Sequence, residues 1–176
     1  AMEYVIVNST AGHLKDSIVA SHKDIAMVKR MKVTGTINVY DFIIMRDSMP
    51  KLTALNLKDV RIKRVYNYTV GGVEYWTDYA EDDVLPFNSF TGKRTLTSFV
   101  FPDVLNRIDV GAFAGAGLKG SLNIPEGVVE IGPGAFIDND FTGILTLPST
   151  LKKIGSGAFR ECCFICPLNL PDGIEE

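Results

Sequence analysis

The sequence is poor in the residues from which catalytic and metal centres are usually built. It holds 2 histidines, 3 cysteines and 1 tryptophan among 176 residues. His13 and His22 stand nine positions apart on an expected helix, where they share no face. No Ser–His–Asp set can be assembled from them. The cysteines lie together in "CCFIC", Cys162 to Cys166, which is neither a disulfide framework nor a set of four zinc ligands. They read as small buried hydrophobes. The net charge is −3, so the chain lacks the basic footprint of a nucleic-acid binder. No apolar run approaches the roughly 18 residues that span a bilayer. The opening "AMEYVIVNST" lacks the apolar stretch of a signal peptide. Either the protein is cytoplasmic or its leader lies outside this sequence.

What the chain has instead is a period. Pro102, Pro125, Pro148 and Pro171 follow one another at a step of 23 residues. The same step links Ile108, Ile131 and Ile154, then Gly111, Gly134 and Gly157, then Phe113, Phe136 and Phe159. Leu105, Val128, Leu151 and Ile174 form a fifth column. Before each proline stands a pair of apolar residues spaced by two: Phe99 and Phe101, Leu122 and Ile124, Leu145 and Leu147, Leu168 and Leu170. That spacing predicts a short strand with one buried face. Proline ends each strand because it has no N–H for the ladder. The glycine before each Ala–Phe predicts a left-handed turn. A 23-residue unit cannot bury these side chains alone, whereas stacked units can. The expected fold is an α/β solenoid of 23-residue coils with parallel strands and a ladder of phenylalanines in its core.

Upstream the period loosens. "VLPFNSF" puts Phe90 one step before Phe113. "LTALNL" and "MKVTG" read as earlier strands. Residues 1–50 differ in pattern. "EYVIV" predicts a strand, and "AGHLKDSIVASHKDI" a helix with Leu14, Ile18 and Val19 on its buried side. Asn38 with Asp41 marks the start of a second helix, and Pro50 stops it. A solenoid needs its first coil covered, so residues 1–50 are expected to be an α/β N-terminal cap and residues 51–176 the solenoid.

The units "LNIPEGVVEIGPGAFIDND" and "LTLPSTLKKIGSGAFRECC" resemble the BspA-like leucine-rich repeats in strand, proline, Ile–Gly, Ala–Phe and length. "MKVTGTINVYDFIIMRDSMPKLTALNL" is similar to the leading segment of such proteins from anaerobic bacteria of the gut and mouth. The resemblance covers about residues 30–176. It implies a secreted or surface-attached protein of adhesion or host contact, without shared catalytic residues or a cofactor. The family's frequent cysteine after Ala–Phe occurs here only as Cys162. Ala116 and Asn139 take its column elsewhere.

The remaining motifs have plain readings. "GAGLKG" matches G-x-G-x-x-G, but it joins two coils with no long helix after it. "AEDDV" reads as a solvated loop, and "DND" at 138–140 as a turn. "VYNYTVGGVEYWTDY" interrupts the period between Arg64 and Asp83 and predicts a β-hairpin around Gly71–Gly72. It would pair Val70 with Val73 and Tyr68 with Tyr75. Tyr66 would share their face, and Trp76 would point the other way. These aromatics either pack on the solenoid or form a partner surface. The strand residues Val100, Asn123, Thr146 and Asn169 are expected to face outward in a row, a second candidate surface. The expected function is non-catalytic binding of a protein or glycan partner, and the alternative is a spacer that presents another domain. The unit "LNLPDGIEE" stops before its Ile–Gly and Ala–Phe. The expectation is that coils continue beyond it or that the chain self-associates through this C-terminal edge.

Overall fold

A computed structural model describes residues 3–76 and 82–175, apart from the side chains of Tyr68, Val70, Tyr75 and Trp76. The N-terminal part alternates strand and helix: β1 (Val5–Ser9), α1 (Leu14–Ala20), β2 (Arg30–Ile37), α2 (Val39–Asp47) and β3 (Ala54–Ile62). A hairpin follows, β4 (Asn67–Val70) and β5 (Val73–Trp76). The rest is β6 (Val84–Leu85), β7 (Ser98–Val100), β8 (Arg107–Ile108), β9 (Lys119–Asn123), β10 (Glu130–Ile131), β11 (Asp140–Thr146) and β12 (Lys153–Ile154). The architecture is an α/β solenoid with parallel strands.

One parallel sheet runs β1-β2-β3-β7, so residues before and after Pro50 share a single sheet. A second parallel sheet runs β6-β8-β10-β12. Its register pairs Ile108 with Ile131 and Ile131 with Ile154, which is the 23-residue step written as hydrogen bonds. Parallel β9 and β11 form a third sheet.

Each local signal has a physical counterpart. The Asn38 side chain accepts from Tyr40 N–H while the Asp41 carboxylate accepts from Asn38 N–H, a capping box that fixes the start of α2. Asp41 also accepts from Gly12 N–H and Leu14 N–H, so one buried carboxylate holds the starts of both helices. At the far end of α2 the buried Lys93 ammonium donates to Arg46 O and Met49 O. Burial pulls its pKa below the usual lysine value.

The phenylalanine ladder forms as expected. Phe90, Phe113 and Phe136 are fully buried and stacked in order, and Phe159 continues the stack. The turn glycines Gly111, Gly134 and Gly157 all have φ near +60° (62°, 60° and 64°). Glycine after the isoleucine has a different cause. A Cβ on Gly132 would stand 2.6 Å from Val110 N, so only glycine lets successive coils approach this closely. The turns themselves bond coil to coil: Gly111 N–H to Pro133 O, Phe113 N–H to Ala135 O, and one step later Gly134 N–H to Ser156 O and Phe136 N–H to Ala158 O.

Several expectations fail. Val19 is 56% exposed, because α1 buries only Leu14 and Ile18. That helix ends at Ala20, so His22 lies beyond it in a left-handed turn with φ 59°. No strand forms at Leu168–Leu170, and both leucines are exposed, since no later coil packs on them among the described residues. The three thiols are free, but Cys163 is exposed and Cys162 and Cys166 only partly covered. Asp82 and Asp83 are not a solvated loop. Asp83 is 3% exposed, grips the Arg61 guanidinium through both oxygens and accepts from Ile62 N–H. Ala80 and Glu81 lie outside the described residues.

Candidate binding face

The hairpin pairs Val70 with Val73 and Tyr68 with Tyr75, as its sequence predicts. Gly71 and Gly72 both have positive φ (57° and 80°), the twist that suits a two-residue hairpin turn. Tyr66 is 58% exposed, with the Arg64 guanidinium 4.5 Å above its ring. The side chains of Tyr68, Tyr75 and Trp76 lie outside the described residues, so the structure does not place an aromatic cluster there.

The strand row is better defined. Val100, Asn123, Thr146 and Asn169 are all exposed. Asn123 and Thr146 are register partners on β9 and β11. Asn169 stands on irregular chain, so the row is a hydrogen-bonded ladder only at its centre. Ser98, Lys119, Ser121 and Ile144 share this exposed face, and Ile144 is 54% exposed. The strand alternation that turns Leu122 and Leu145 inward implies outward neighbours on both sides, which the single-residue row omitted.

The face is broken in one place. The first sheet ends at β7 and the third begins at β9, with no ladder between them. One backbone hydrogen bond, Lys119 N–H to Thr97 O at 3.2 Å, ties the start of β9 to the residue before β7, and no ladder joins the strands beyond it. A cleft of about 430 Å³ opens there. Its rim is polar, with Ser98, Ser121 and Asn123, and its floor is apolar, with Phe99, Leu122 and Phe141. That size lies in the range of ligand sites, roughly 300–1,000 Å³.

Asn139 occupies the column that Cys162 takes one coil later. Its side chain is 3% exposed. Nδ2 donates to Phe113 O at 2.8 Å and Phe136 O at 2.9 Å, and Oδ1 accepts from Leu118 N–H. One coil later Cys162 Sγ donates to Phe136 O at 3.1 Å. Both residues satisfy the carbonyl of a ladder phenylalanine in the coil before. Burial is the main cause that pushes the Cys162 thiol above its usual pKa. "DND" is thus a left-handed turn at Asp138, φ 57° and ion-paired to Arg94, followed by a buried capping amide and the first residue of β11. "GAGLKG" leads straight into β9 with no helix after it. Among the described residues no three His, Cys, Asp or Glu side chains gather into a metal site.

No curated protein matches the chain. A leucine-rich repeat protein from Bacteroides ovatus, known from a crystal structure, is 15% identical, with a TM-score of 0.38. The match covers 85% of this chain and 45% of that one, so this chain spans less than half the length of its structural neighbour. The BspA type Leucine rich repeat region matches residues 84–176 in 6 copies, more than half of the chain. With its proline, Ile–Gly and Ala–Phe columns stacked in register, the chain belongs to the BspA type leucine-rich-repeat family.

Proposed function

We propose that this protein is a secreted or cell-surface, non-catalytic module that holds a protein or glycan partner on its exposed strand face, in adhesion or host contact. Family membership supports an interaction module, since these repeats are typically extracellular or surface-associated and non-enzymatic. No helix among the described residues is long and apolar enough to cross a membrane. The observation that carries the reading is the exposed face formed by Val100, Asn123 and Thr146 beside an apolar-floored cleft. A polar rim around an apolar centre is the usual anatomy of a recognition surface. Residues 1–50 serve as the N-terminal cap, and residues 51–176 present the face. Tyr66 and Asn169, both exposed, are further candidates for partner contact, as are Tyr68, Tyr75 and Trp76, whose side chains lie outside the described residues. Ile165, Leu168 and Leu170, exposed by 78%, 61% and 52%, form an apolar edge through which copies of the chain associate.

Pull-downs and glycan arrays with three proteins test this reading: wild type, Asn123→Arg with Thr146→Arg, and Tyr75→Ala with Trp76→Ala. Loss of binding in the strand-face variant supports it. Loss only in the hairpin variant moves the site to the hairpin. Equal binding by all three, or no partner for any, sinks the strand-face reading and leaves the spacer role.

A further inference from the structure

The break between β7 and β9 is an opening with a particular chemistry. Ser98 N–H donates to Thr53 O, toward β3. Backbone groups alternate sides along a strand, so Phe99 N–H and C=O point toward β9. On the other side Ile124 N–H donates to Thr146 O, toward β11. The same alternation turns the N–H and C=O of Ser121 and Asn123 toward β7. None of these groups bonds across the gap, because Lys119 N–H to Thr97 O is the single backbone bond between the strands. Two strand edges therefore face each other unpaired, in the middle of a sheet face rather than at its end.

The charge in the cleft is one-sided. Lys119 is the only charged side chain in its lining, and no carboxylate lines it. The Lys119 ammonium has no ion-pair partner among the described residues. Its register neighbour Asp140 lies on β11, on the far side of β9 from the opening.

We infer that the cleft takes one extended peptide segment carrying a carboxylate, which adds as a short strand to the free edges of Phe99, Ser121 and Asn123 and sets its acidic group against Lys119. Main-chain pairing of this kind gives affinity with little demand on sequence, and pockets under alternate side chains give specificity. The apolar floor of Phe99, Leu122 and Phe141 supplies such a pocket. A carboxylated sugar would also satisfy Lys119, but it would leave the row of backbone donors and acceptors largely unused. The inference rests on the strand-face reading and makes it specific.

The experiment is a selection of random octapeptides, displayed on phage, against wild type and against Lys119→Glu. Lys119 is exposed, so the variant keeps the fold, which circular dichroism checks. Wild type should enrich acidic peptides and Lys119→Glu basic ones. A synthesised wild-type winner should shift the amide resonances of Phe99, Ser121 and Asn123 and should lose about tenfold or more in affinity for Lys119→Glu. An N-methylated version of the same peptide should not bind, since it cannot complete the pairing. The inference is overturned if no peptide is enriched, if both proteins select the same peptides, or if the shifts fall elsewhere. It is also overturned if a glucuronate tetrasaccharide shifts these amides while no peptide does. That last outcome leaves the strand-face reading standing. Binding that ignores the Asn123→Arg, Thr146→Arg variant removes both.

Discussion

The rings of Phe113 and Phe136 lie 5.2 Å apart and within 8° of parallel, one repeat step from each other. Phe159 continues the stack at 5.6 Å and 7° from Phe136. Phe136 is thus enclosed by identical neighbours above and below, and Phe101 and Phe141 touch its edge. Truncation would open a cavity that the rigid coils on either side cannot close. Phe136→Ala should cost roughly 3–5 kcal/mol in urea denaturation, as large aromatic truncations in cores do. A loss under about 1 kcal/mol would contradict the stacked core.

The capping side chain beside that ladder should matter less, but measurably. Asn139 satisfies the carbonyls of Phe113 and Phe136 and the N–H of Leu118, all in a dry setting. Asn139→Ala orphans the Leu118 N–H and leaves Phe113 O only Ala116 N–H and Phe136 O only Cys162 Sγ, so it should cost about 1–3 kcal/mol by the usual penalty for an orphaned buried group. Cys162→Ala should cost less, because Cys162 is only partly covered and the Phe136 carbonyl it serves keeps its bond from Asn139. Equal losses in the two variants, read from thermal melts, would refute the idea that the column works through hydrogen bonds.

The parts of the fold that repeat were legible in the sequence. Five residue columns at a step of 23 define the ladder, the turn glycines and the inward strand pairs, because each coil must match the next in shape. The start of α2 was equally plain, since Asn38 and Asp41 act within one turn of chain. What the sequence hid depends on contacts across distance. Nothing near "EDD" shows that Asp83 will meet Arg61, 22 residues earlier, in a buried pair. The break in the strand face is silent too: Phe99 and Leu122 keep the 23-residue step although their strands part. The last unit shows the reverse case. "LNLP" carries the strand pattern, but a strand needs a neighbour, and Leu168–Leu170 has none on its outer side among the described residues.

The base of the hairpin should be sensitive to acid. The Lys63 ammonium, with Arg64 N–H, holds the Asp82 carboxyl below its ordinary pKa of 3.8. A carboxyl depressed in the folded state stabilises the fold above its unfolded pKa. That contribution disappears as pH falls through the folded value. Wild type should therefore exceed Asp82→Asn in stability at neutral pH, and the two should converge below about pH 3.8. Asp82 is partly exposed, so the gap is small and shrinks with salt. Parallel curves from pH 7 to pH 2 would show that the pair does not contribute.

A second left-handed column offers the opposite kind of change, a gain. Gly92, Gly115, Asp138 and Glu161 share the 23-residue step and have φ of 71°, 61°, 57° and 60°. The backbone of every coil takes the left-handed form there, whichever residue occupies it. Glycine does so freely, aspartate tolerates it, and glutamate has neither the freedom of the one nor the short polar side chain of the other. Asp138 is also held by its ion pair with Arg94, whereas Glu161 has only its neighbour Arg160, on an exposed edge. Glu161→Gly should raise stability by about 0.5–1 kcal/mol, the strain relieved less the entropy glycine adds to the unfolded chain. Asp138→Gly should gain less or nothing, since it gives up the Arg94 contact. The reverse change, Gly115→Glu, should destabilise by about 1–2 kcal/mol, the ordinary penalty for an L side chain in this region. Thermal melts of the three variants order them. If Glu161→Gly lost stability while Gly115→Glu kept it, the shared left-handed turn would not govern this column.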